Sequence, residues 1–74
     1  MTIDGPLLSR IGLVLYGQFW RAPLGERFGI GPRKLRRMVA GQESIGPAMA
    51  LDIERELRDR GLELDAILDR LADA

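Results

Sequence analysis

Apolar residues recur at helical spacing along most of the chain, and nowhere do they alternate with polar ones for long enough to mark a strand. Leu7, Leu8, Ile11, Val14 and Leu15 form the first helical run, with Asp4 or Gly5 as its cap, Pro6 in its first turn and Gly17 as its stop. Gly12 weakens that helix by about 1 kcal/mol relative to alanine, which predicts that another helix approaches closely there. Because Pro23 disfavours the helical region for the residue before it, a second helix is expected from about Ala22 or Pro23, with Leu24 and Phe28 inward. Gly29 then supplies a left-handed turn, Ile30 enters the core, and Gly31 caps a third helix running from Pro32 to Gly41. After a polar connector from Gln42 to Gly46, Pro47 opens a fourth helix with Ala50, Ile53 and Leu57 on one face and Gly61 as its stop. Residues 62–74 carry Leu64, Ile67, Leu68 and Leu71 at helical spacing and form the fifth helix of the pattern. The expectation is a single all-α domain over residues 1–74, a compact bundle of about five helices. Met1 to Asp4 is expected to fray, and Tyr16, Phe19 and Trp20 to pack inward.

With 74 residues, the chain buries only roughly 60% of the surface its unfolded form exposes, so the core is small and self-association is a natural supplement. The absence of Cys and His removes disulfides and the usual metal ligands, and compatibility with a reducing compartment points to a cytoplasmic protein. No apolar run approaches the roughly 18 residues of a spanning helix, so no membrane partner is expected. Ser9 and Ser44 are the only serines, and without His or Cys they offer no nucleophile and base pair; an enzyme is not expected. Gly29-Ile-Gly31 starts like a dinucleotide fingerprint, but Pro32 follows, no strand precedes it, and a third glycine is missing at the required spacing. The acids Asp52, Glu54, Glu56 and Asp59 alternate with Arg55, Arg58 and Arg60 as ordinary exposed pairs. No cofactor, metal or small-molecule ligand is called for.

Charge changes the picture most. The formal net charge is zero, yet residues 1–42 hold seven cations against Asp4 and Glu26, a net of +5, while residues 43–74 hold four against nine acids, a net of −5. Such a division points to a polyanion partner for the first half. In the third helix, Leu35, Met38 and Val39 share one face, Arg33 and Arg37 point the opposite way, and Arg36 lies between. Two short helices around a glycine turn, the second with a core face and a cationic face, make a helix-turn-helix whose second helix enters the major groove. Arg33, Arg36 and Arg37 are the candidate base-contacting residues, because arginine's planar fork bonds guanine O6 and N7 together; a G·C-rich contacted site is expected. Lys34, Arg21, Gln18, Gln42 and Ser44 are the candidate backbone contacts.

Through Leu24, Phe28, Gly29, Ile30, Leu35 and Met38, with Gly41 closing the second helix and Pro47 opening the next, the chain resembles the Cro/C1-type (XRE-like) helix-turn-helix regulators over roughly Leu7 to Arg60. It departs from them in having Gly25 where that family usually carries alanine four before the turn, and in having Pro23 but no glutamine near the start of the first motif helix. The resemblance implies a lambda-repressor-like domain that binds specific double-stranded DNA. At the level of fold it extends to small phage or mobile-element autorepressors such as anti-CRISPR-associated regulators. A homodimeric repressor occluding a promoter at an inverted repeat is the leading expectation, with Leu51, Leu64, Leu68 and Leu71 as candidate interface residues; the alternative use of the C-terminal leucines is to cover the domain's own core. The rival reading is a protein-interaction module, or a mobile-element inhibitor, that offers the same cationic face to an acidic protein.

Overall fold

The computed structural model describes residues 3–73 and is all-helical over them. Its helices are α1 (Gly5–Tyr16), α2 (Arg21–Phe28), α3 (Pro32–Val39) and α4 (Pro47–Ala72). No helix among the described residues is long and apolar enough to cross a membrane.

Asp4 begins α1 as anticipated, its Oδ1 accepting from the Leu7 N–H at 2.9 Å and so satisfying one of the amides that a helix start leaves bare. Ile3 is buried in the core, so the expected fraying does not reach it; Met1 and Thr2 lie outside the described residues. The inner face of α1 is Leu8, Ile11 and Gly12, with Leu15 partly buried. Leu7 and Val14 belong to the sequence pattern but point outward, Val14 being 73% exposed, because the body covers only a narrow strip of the helix.

The close approach predicted at Gly12 exists, but what approaches is a side chain. A Cβ at position 12 would stand 2.1 Å from Cε3 of Trp20, whose indole is 5% exposed. Gly5 is pressed equally hard, since its Cβ would lie 2.2 Å from the carbonyl oxygen of Val39, and it lets the start of α1 rest on the end of α3. Phe19, expected to pack, is 81% exposed: it sits in the turn before α2, and the adjacent Trp20 takes the inward place.

Three glycine stops behave as the sequence suggests, and the first of them, Gly17, ends α1 with φ 79°. Gly29 has φ 67° and the Ile30 N–H donates to the Gly25 carbonyl at 2.8 Å, which turns Ile30 inward to bury it. Gly41 has φ 79° and the Gln42 N–H donates to the Arg37 carbonyl at 2.9 Å, closing α3 in the same way. Gly61 does not act as a stop. It lies inside α4, which runs unbroken for 26 residues, so the separate fifth helix over 62–74 does not exist. The strong helix formers on both sides of Gly61 let the helix propagate through it, at a cost of about 1 kcal/mol, without a new nucleus.

The N-terminal half of α4 closes the body: Ala50 and Ile53 are buried with Leu8, Leu24 and Leu35, and Leu57 packs at the edge. Glu56 bonds Arg27 of α2 at 3.0 Å, and the Arg60 guanidinium lies over the Tyr16 ring at 5.9 Å. Beyond Arg60 the helix leaves the body. Leu62, Leu64, Ile67, Leu68 and Leu71 are each more than half exposed, so the C-terminal leucines do not cover the domain's own core.

Candidate functional site

The charged residues of α2 and α3 sort themselves by partner. Six cations lie between Arg21 and Arg37. Arg27 is held by Glu56, as described, and Glu43 in the connector takes two more: Arg37 at 3.1 Å and Lys34 at 3.7 Å. Among the described residues Arg21, Arg33 and Arg36 form no ion pair. All three are exposed.

Their placement follows from the core. Leu35 and Met38 are buried, which fixes the rotation of α3 and turns Arg33 to the far side, with Arg36 about 60° away at 100° per residue. Arg36 and Arg21 both line a cleft of ≈ 490 Å³ between α2 and α3, whose walls include the acid Glu26 beside Ala22, Gly25, Ile30 and Pro32. Gly25 lets the turn fold back closely onto α2, since a Cβ on it would lie 2.7 Å from the Ile30 carbonyl oxygen. Arg21 is the first residue of α2, one position earlier than expected, and its guanidinium stacks over Trp20 at 5.4 Å from the ring centroid. That stacking steadies a long side chain at the rim of the cleft.

Of the residues singled out in the sequence, Arg21 and Arg36 therefore meet at one cleft, while Arg33 is exposed on α3 about 60° around the axis from Arg36 and does not line it. Arg37 and Lys34 lie toward the connector, drawn to Glu43. Gln18, Gln42 and Ser44 are all exposed; Gln18 adjoins Arg21 across a smaller pocket that also touches Phe19, whereas Gln42 and Ser44 flank Glu43. Sequence reasoning missed Glu43, an acid placed six residues past Arg37 in a connector, where pairing depends on the path of the loop. Its carboxylate is a local counter-ion. Glu43→Gln is expected to release Lys34 and Arg37 and raise affinity for a generic polyanion roughly threefold at fixed salt, seen as later elution from heparin.

The leucines proposed for an interface separate into two sets. Because α4 is one helix, Leu51 stands about 140° around the axis from Leu64 and about 160° from Leu71, so a single flat contact cannot hold all of them.

Compared with protein-family models, curated proteins and solved structures, the chain matches none, and the functional reading rests on this geometry.

Proposed function

We propose that the chain is a sequence-specific double-stranded DNA-binding regulator, acting as a homodimer that blocks a promoter, with α2 and α3 as its helix-turn-helix. The observation that carries this reading is the sorting of cations. Three exposed arginines of α2 and α3, Arg21, Arg33 and Arg36, remain available to a ligand while their neighbours are neutralised from within. Arg33 and Arg36 project from the N-terminal and middle part of α3, the part that reaches base edges when such a helix lies in the major groove. Arg21, at the amino end of α2, is placed for a phosphate. The acidic half of the chain is carried largely by α4, whose outer stretch leaves the body, so its repulsion of DNA falls away from these arginines.

The reading is tested by fluorescence anisotropy with the DNA immediately upstream of the chain's own gene and a scrambled duplex of equal length. A preference of about 1,000-fold or more for one duplex at physiological salt is expected. Arg21→Ala should weaken both duplexes alike. Equal, weak binding to both would overturn the reading and favour the interaction-module alternative, for which the largely apolar α2–α3 cleft, with Arg21 and Arg36 set against Glu26, would be the docking surface.

A further inference from the structure

The outer half of α4 continues the same apolar stripe that the inner half buries. Ala50, Ile53, Leu57, Arg60, Leu64, Ile67 and Leu71 succeed one another at intervals of three and four, the repeat of a helix that pairs with another along a seam. The chain's own body covers this seam as far as Leu57, and Arg60 marks the edge. From Leu64 to Leu71 the seam is bare.

We propose that a second copy of this chain covers it, the two outer halves of α4 packing antiparallel about a two-fold axis between residues 65 and 66. This deepens the homodimer reading given above by naming its surface and direction. Three observations select this occupant. The first is space: a parallel, in-register partner would need the face of α4 at Ala50 and Ile53, where the body already sits, whereas an antiparallel partner uses only the overhang. The second is charge. With Leu64 against Ile67 of the partner subunit, and the reverse, the flanking position of Glu63 falls beside Arg70 of the partner subunit, and symmetry makes that pair twice. A parallel pairing sets Glu63 beside an uncharged leucine instead.

The third is Gly61. In the single chain a Cβ on it would meet nothing within 4 Å, so the isolated subunit has no packing use for a glycine inside this helix. The antiparallel register places the large Leu68 of the partner subunit on that gap, at the flank opposite Glu63. A small residue facing a large one is how seams of this kind fill space.

The experiment is sedimentation of the full chain without DNA, from about 1 to 100 μM, together with variants whose folding is checked by circular dichroism. A concentration-dependent dimer is expected. Leu64→Asp should weaken it about 30-fold or more, while Leu51→Asp, on the other side of the helix, leaves it unchanged. Glu63→Arg alone should weaken it roughly fivefold, and adding Arg70→Glu should restore it to within about twofold. Because the chain has no cysteine, Leu64→Cys mixed with Ile67→Cys gives a clean oxidative cross-link readout, and mixed disulfides should outnumber either self-linked species. A dimer that survives Leu64→Asp, or that cross-links Leu64→Cys to itself, overturns this arrangement while leaving a homodimer in place. A monomer throughout overturns the homodimer as well, and neither result bears on DNA preference, which anisotropy reads separately.

Discussion

Gly12→Ala is expected to destabilise the protein by about 2–4 kcal/mol, although in an exposed helix the same change would stabilise by about 1 kcal/mol. The sign reverses because of what the new methyl would meet. Its position lies 2.1 Å from Cε3 and 2.3 Å from Cδ2 of Trp20, inside the atoms of a rigid double ring. That ring cannot swing aside as the end of a flexible chain would, since it is buried among core residues on one side and roofed by Arg21 on the other. Relief requires α1 and α2 to separate, and the core is too small to spread the strain. A domain of this length has roughly 4–11 kcal/mol of stability in all, so the change consumes a large share of it. Urea unfolding followed by far-ultraviolet circular dichroism checks the magnitude, and a melting temperature lowered by about 10–25 °C is the thermal counterpart. The double variant Gly12→Ala with Trp20→Leu should lose less than the two single losses combined, because the second change removes the obstacle to the first. A Gly12→Ala protein more stable than the parent would mean that Trp20 does not rest on this glycine.

Arg33→Ala combined with Arg36→Ala is expected to leave the melting temperature within about 2 °C of the parent and to abolish the distinction between matched and scrambled DNA. Stability is spared because both side chains are exposed and make no ion pair among the described residues. Each guanidinium that bonds a guanine contributes about 1–3 kcal/mol of discrimination, so losing two costs roughly 30-fold to 20,000-fold in preference. Glu43→Gln should act in the opposite sense, strengthening binding to every duplex without sharpening the choice among them. An equal loss on matched and scrambled duplexes would assign Arg33 and Arg36 to phosphates instead of bases.

What the sequence conveys well here is local. Asp4, Gly29, Gly41, Pro32 and Pro47 each act within a turn of their own position, and each begins or ends a helix where local chemistry predicts. The rotation of α3 is equally legible, because Leu35 and Met38 can be buried together in only one orientation. Less legible is whatever depends on how much surface the small body can cover. Leu7 and Val14 satisfy the helical pattern, yet among the described residues neither is buried. Phe19 and Trp20 are adjacent aromatics, and only the pocket made by Gly12 decides which one goes inside. Gly61 is a helix stop on composition, but a stop needs a left-handed residue and a turn, and nothing beyond it bends the chain. At the candidate site the arginines are plain in the sequence, while the division between those that are neutralised and those left available depends on Glu43 and Glu56 arriving from other segments.

The unbroken course of α4 has one more consequence. Eleven residues beginning at Leu62 would be a poor helix by themselves, because the first turn must be ordered before any hydrogen bond rewards it. Here that first turn is never formed anew: the half of α4 fixed by Ile53, Glu56 and Arg60 already presents carbonyls in helical geometry, and each following residue adds to an existing spiral. The body therefore serves as a template for order that it does not touch. Helicity in the overhang is inherited from one end, graded by distance from Arg60, and any change that loosens Ile53 from the core weakens the far leucines as well.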